Sequence, residues 1–240
     1  MTEQVRDPQT LQARWEAVRR RIAAAARAAG RDPASVGLVA VGKGHPAEAL
    51  AALAAAGQAD FGESYVQEAL PKLEALARRP GLRWHFVGAL QANKTRAVAT
   101  RFHWVHAVDR LRIARRLSAQ RPEGLPPLAV CLQVQVAPEP QKAGLPPEEA
   151  LALAPEVAGL PRLRLRGLMA LPPRTADPGR QRAHFRVLRE LLEELRRRGL
   201  ELDTLSMGMS GDLEAAVAEG ATLVRVGTAL FGPRPPRGNA

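Results

Sequence analysis

The amino-acid sequence predicts an α/β protein folded as a single (β/α)8 TIM barrel over residues 1–240, with an extra helix ahead of the first strand. Three observations predict it. Eight short β-type runs alternate with helical stretches along the chain. Repeated βα units imply a parallel sheet with right-handed crossovers. A length of 240 residues with 46% hydrophobic content suffices for one closed barrel and its core. A doubly wound open sheet would also alternate. Its dinucleotide-binding version, however, needs a G-x-G-x-x-G turn after the first strand, and VGKGHPAEAL at 41–50 lacks that spacing.

In chain order, the alanine-rich stretch 11–29, closed by Gly30, is the extra helix. LVAV at 38–41 is the first strand, followed by helix 47–56; the run 59–61 is the second, followed by helix 65–77. Strand 83–87 leads to helix 93–99, and strand 104–108 to helix 110–120. LAVCLQVQV at 128–136 is the fifth strand, with helix 147–158 after it. Strand 164–169 runs into LPPRTADPGR at 171–180, which reads as a long βα loop before helix 180–198. Strands 202–205 and 222–226 flank helix 213–219, and the tail from Pro233 is expected to fray.

Composition removes several function classes. A formal charge of +11 invites a polyanionic partner, but the arginines are spread along the whole chain. The runs at 19–21 and 196–198 fall at helical spacings, as solvated faces do. Aromatics are only 4%, so stacking platforms for single strands are scarce and nucleic acid is not expected. Cys131 is the sole cysteine, which excludes an intramolecular disulfide or a cysteine zinc cluster and fits a reducing compartment. MTEQVRDPQT has no apolar signal region and no run is long enough to cross a bilayer, so a cytoplasmic protein without membrane contact is expected.

Of 35 basic residues only four are lysines, and one of them, Lys43, directly follows the first strand in GKGH. An amine can lose its proton on burial and condense with a carbonyl, which a guanidinium cannot do. The plainer reading is a strand-end lysine reaching to solvent. Functional groups of a closed barrel gather at the carboxyl ends of its strands, and phosphate commonly binds after strands seven and eight. There the chain has SMGMSGD at 206–212 and RVGTALFG at 225–232. N–H groups around Ser210, Gly211, Gly227 and Thr228 suit an anion; alternatively, Ser210 and Thr228 are ordinary helix caps. A phosphate cradle beside an imine-forming lysine describes a ligand with both phosphate and aldehyde, and pyridoxal 5′-phosphate is that ligand. Arg225 then either faces the pyridine nitrogen, which leaves the ring a poor electron sink, or neutralises phosphate or a carboxylate.

LVAVGK at 38–43, FGESYVQEAL at 61–70, WHFVGALQANK at 84–94, LRLRGLMALP at 163–172 and SMGMSGDLEAAVAEGATLVRVGTALFG at 206–232 resemble the pyridoxal-phosphate homeostasis protein family. These are single-domain relatives of the alanine racemase barrel, and the likeness covers nearly the whole chain. The resemblance implies that Lys43 carries the cofactor as an internal aldimine, that Ser206, Ser210, Gly227 and Thr228 hold the phosphate, and that Arg225 meets the ring nitrogen. It implies a carrier that binds, buffers and delivers the cofactor to apo forms of pyridoxal-phosphate enzymes, supporting amino-acid and keto-acid homeostasis without a substrate of its own. The sequence departs from the family pattern at Gly42, where serine is usual, and at Gly44 and His45, where threonine and lysine are usual. A second cation near the pocket mouth is then lost at neutral pH, or made pH-dependent where His45 takes its place. Ser64 stands where the family has an asparagine beside the ring, and Ala89 and Ala92 thin the polar content of the third βα loop.

The enzymatic rival is an amino-acid racemase, which needs an acid and a base on opposite faces of the cofactor. Alanine racemases take one from a tyrosine on an additional β domain. This chain ends soon after strand eight, which also favours a monomer; its only tyrosine, Tyr65, is expected to pack. His85 either lines the barrel mouth beside the cofactor or is a hydrogen-bonded structural histidine. A metal hydrolase is disfavoured: His103 and His106 are three apart on a strand, so their side chains face opposite ways.

Overall fold

A computed structural model describes residues 7–137 and 143–233; the tail expected to fray lies, beyond Pro233, outside the described residues. Eight strands close into one parallel barrel in the order of the sequence. They are β1 (Gly37–Val41), β2 (Asp60–Glu63), β3 (Arg83–Phe86), β4 (Trp104–Val108), β5 (Leu128–Val134), β6 (Leu163–Ala170), β7 (Thr204–Ser206) and β8 (Leu223–Val226). Closure is made by β1 on β8, in register from Gly37 opposite Leu223 to Ala40 opposite Val226.

Around the barrel run α2 (Ala47–Ala55), α3 (Val66–Ala75), α4 (Thr95–Arg101), α5 (Leu111–Gln120), α6 (Pro147–Ala158), α7 (Pro178–Arg197), α8 (Leu213–Ala218) and the short α9 (Thr228–Phe231). The extra helix, α1 (Pro8–Ala28), starts three residues earlier than its alanine pattern suggests. Asp7 caps it by accepting from the N–H of Thr10 at 2.8 Å, and Pro8 supplies a preset first turn. Leu11, Val18, Ile22 and Ala26 recur at helical spacing and are buried where α1 packs on α2, α8 and α9. Arg21 fixes it further by a two-point pair with Glu214 and a bond to Ser210 O.

Side chains alternate across each strand, so one set packs outward on the helices and the other fills the barrel. The outward set joins one large apolar core that includes Leu38, Ala40, Phe61, Trp84, Phe86, Val105, Leu128, Val130, Leu165, Leu205, Val224 and Val226. The inward set is different. Its apolar part includes a small separate cluster of Ala107, Cys131 and Met169, while His85, His106, Ser206 and Arg225 are buried polar groups on inward positions. Burial pushes the Cys131 thiol up to about 12, which makes it an inert packing group.

Candidate functional site

At the carboxyl end of β1, the chain turns sharply: His45 N–H donates to Gly42 O at 3.0 Å and Gly44 takes φ +77°, a conformation that favours glycine. Lys43 is carried on this turn. Beneath it lies a clamp that the sequence reading did not identify. Lys72, buried on α3, donates to Gly42 O at 2.9 Å, to Glu63 Oε1 at 2.8 Å and to Glu68 Oε1 at 2.6 Å. Glu68 in turn accepts from the N–H of Gly44. Burial pushes Glu63 up to about 7, although Lys72 pulls the other way, and its Oε2 has no hydrogen-bond partner among the described residues.

Gly42 suits this packing. A Cβ there would meet Leu50 Cδ1 at 2.8 Å and Glu63 Oε1 at 2.9 Å, so the space that a serine side chain would need is filled by Leu50 and the clamp. His45 stacks on Phe231, with ring centroids 4.9 Å apart, and is only 5% exposed. It therefore packs into the wall as well as lining the cavity described next.

The turn opens onto a cavity of about 600 Å³ at the carboxyl end of the barrel. Six of the residues singled out in the sequence line it together: Lys43, Ser64, Ser210, Arg225, Gly227 and Thr228. On the side made by β7 and β8, Ser210 Oγ accepts from the N–H of Ala229 in α9 at 3.3 Å; Ser210 is not an ordinary helix cap, since Asp212 is the N-cap of α8 and Gly227 that of α9. At Gly227 a Cβ would come within 3.2 Å of Val41 O, which lets β8 exit close beside β1. Arg174, on the loop after β6, adds a cation that the sequence reading did not single out; its signal was only its place in a long βα loop. A second cavity of about 490 Å³ shares Lys43 and Ser64 and extends to Tyr65, Gln67 and Lys94.

Arg225 is anchored from below. Its Nη1 donates to Ser206 Oγ at 2.6 Å and its Nη2 to Ala170 O at 2.8 Å. Burial lowers it to about 10, so it remains a cation at neutral pH. Ser206 and His85 are not brought to the cavity. Ser206 is fully buried and its hydroxyl contacts Arg225 and His106; His85 lies deeper, between His106 and Asp60. Tyr65 departs from expectation as well. It precedes the first turn of α3 and stands 49% exposed at the rim of the second cavity, instead of packing. Among the described residues no group of three or more histidine, cysteine or carboxylate side chains could hold a metal. None of the described helices is long and apolar enough to cross a membrane.

The alanine racemase N-terminal domain matches residues 13–235. The pyridoxal phosphate homeostasis protein of Pseudomonas aeruginosa is 62% identical over 214 residues, covering 89% of this chain and 91% of the relative. The solved structure of PipY from Synechococcus elongatus with PLP bound is 40% identical, covers 92% of this chain and 100% of its own, and superposes with a TM-score of 0.82. An alanine racemase from Corynebacterium glutamicum shares the fold at 17% identity, with a TM-score of 0.68 over 94% of this chain and 63% of its own.

Proposed function

The chain belongs to the pyridoxal phosphate homeostasis protein family, built on the alanine racemase N-terminal domain, and from that premise we propose that it binds pyridoxal 5′-phosphate at Lys43 as a carrier. The observation that carries this reading is an amine and an anion-binding edge opening on one cavity: Lys43 on one side, Ser210, Gly227, Thr228 and Arg225 on the other. The donor chemistry fits the group. Hydroxyls, glycine backbone and a fixed guanidinium suit a phosphate-bearing anion, and about 600 Å³ is the volume of a small-cofactor site. When bound, the cofactor supplies an aldehyde that condenses reversibly with a neutral primary amine, losing water and forming a C=N bond that absorbs visible light.

In this reading Ser210, Gly227 and Thr228 hold the phosphate, Arg225 serves the ring nitrogen and Ser64 lies beside the ring. Ser206 and His85 act on the cofactor only through Arg225, because neither lines the cavity. The same proposal makes the protein a non-catalytic, monomeric and cytoplasmic carrier that passes the cofactor to apo-enzymes. The name shared by its relatives, pyridoxal phosphate homeostasis protein, supports a role in keeping the cofactor's level. Turnover of single amino-acid enantiomers well above that of free cofactor would replace the carrier with a racemase.

The test is an absorbance spectrum with and without pyridoxal phosphate, followed by borohydride reduction and peptide mass mapping. Wild type should turn yellow and carry the reduced adduct on Lys43, whereas Lys43→Ala should show no such band. A colourless wild type, or an adduct confined to another lysine, defeats the proposal.

A further inference from the structure

We propose that Asp60, at the amino-terminal end of β2, positions Arg225 through an unbroken, one-directional line of hydrogen bonds that runs through the barrel. The line from Asp60 to Arg225 has four links, and Arg83 meets it at Asp60 from the opposite side. Arg83 Nε and Nη2 each donate to the Asp60 carboxylate at 2.6 Å. Asp60 Oδ1 is 2.9 Å from His85 Nε2, His85 Nδ1 is 2.9 Å from His106 Nε2, and His106 Nδ1 is 2.6 Å from Ser206 Oγ. Ser206 Oγ is 2.6 Å from Arg225 Nη1. From His85 to Arg225 every member is at most 4% exposed, while the Asp60 side chain is 14% exposed and that of Arg83 57%.

With both rings neutral, as their burial favours, the hydrogen-bond inventory allows one proton arrangement. Burial alone would raise Asp60, but the bonds from Arg83 and His85 outweigh it and hold the carboxyl at about 2, so it only accepts. His85 must therefore carry its proton on Nε2. Burial lowers both histidines, and a neutral His85 then offers a lone pair at Nδ1. His106 must answer with a proton on Nε2, which leaves its own Nδ1 as an acceptor. The Ser206 hydroxyl donates to that nitrogen, and its oxygen turns its lone pairs to Arg225. Reversing either ring would set a lone pair against the Asp60 carboxylate or leave two lone pairs or two protons facing at one contact. Buried networks tolerate such faults poorly.

Asp60 is thus a positioning residue: it fixes the acceptor that holds one arm of Arg225, while Ala170 O holds the other. Any effect on cofactor rests on the reading of the cavity as the pyridoxal phosphate site; the proton arrangement does not. Nitrogen-15 NMR of histidine-labelled wild type at neutral pH should find His85 and His106 both neutral and protonated on Nε2. A proton on Nδ1 of either ring, or an imidazolium, overturns the proposal. Since Asp60→Asn can weaken folding, this measurement on wild type stands alone if the variant is lost. In folded Asp60→Asn, guanidinium signals of Arg225 that are resolved in wild type should broaden or merge. Pyridoxal phosphate affinity should fall about three- to tenfold, with a displaced visible band. Unchanged Arg225 signals overturn the proposal. A wild type that takes up no cofactor refutes the cavity reading, with the NMR measurements still deciding this one.

Discussion

Gly42 shows how a single residue can set a local packing choice beside the key amine. In the family pattern a serine precedes the lysine, but here a Cβ would collide with Leu50 at 2.8 Å and with Glu63 at 2.9 Å. Introducing serine therefore means displacing both a fully buried leucine and a carboxylate already bound to Lys72. Gly42→Ser should lower stability by about 1–3 kcal/mol, the usual cost of overpacking, read as a lower urea midpoint. Adding Leu50→Val should recover part of the loss, because the two methyls of Leu50 are among the three nearest atoms. An unchanged midpoint in the single variant would show that the turn relaxes freely and that the clamp does not constrain it.

Between elements, the closest approach at the site is that of the loops leaving β2 and β3. A Cβ on Gly88 would lie 2.2 Å from Ser64 O and 2.8 Å from Ser64 Cα, both backbone atoms that no rotamer change can move. Gly88→Ala should push the two loops apart, lower the melting temperature and weaken pyridoxal phosphate binding by displacing Ser64. Binding equal to wild type would place Ser64 outside the ligand's reach. The eight strands were legible because each is a short buried run ending in a turn signal, and their predicted ends fall within two residues of those observed. The four-residue α9 was not, since one turn has no period to detect. Lys43, Ser210, Arg225, Gly227 and Thr228 were legible because strand ends are marked in the chain itself, whereas Ser64 was legible only through the family resemblance. Ser206 lies deeper than a phosphate-holding role implies, and His85 takes its alternative as a hydrogen-bonded structural histidine: alternation tells which way a strand residue faces, but its height in the barrel depends on the stagger of neighbouring strands. Lys72 was invisible for a related reason. Paired four residues from Glu68, it looks like a solvated helix pair, and only the tertiary approach of the β1 turn makes it a buried clamp.

Across the whole molecule, much of the arginine excess is used internally. Glu219, fully buried at the end of α8, gathers Arg182 at 2.8 Å, Arg186 at 3.5 Å and Arg189 at 3.0 Å; Arg166 pairs with Asp203 at 2.6 Å. Buried titratable groups then give stability a pH dependence with two opposing parts. His85 and His106 are held below their ordinary value of 6.5 by burial, so on acidification the unfolded chain takes up protons that the folded chain refuses. Their share of stability falls once pH drops past about 6.5. Glu63 runs the other way. Raised by burial from 4.5 to about 7, it keeps its proton in the fold, so its contribution is present below 4.5 and lost as pH rises to about 7. Asp60, held at about 2 against an ordinary 3.8, contributes fully above 3.8 and loses that as pH falls towards 2. Between pH 6.5 and 4.5 the two histidines and Glu63 therefore act in opposite directions on acidification. Glu63→Gln removes the opposing part, so its urea midpoint should fall further than that of wild type over the same interval, whereas that of His106→Gln should fall less. Equal slopes for wild type and Glu63→Gln would mean that Glu63 is ionised in the fold, with Lys72 outweighing the burial that raises it.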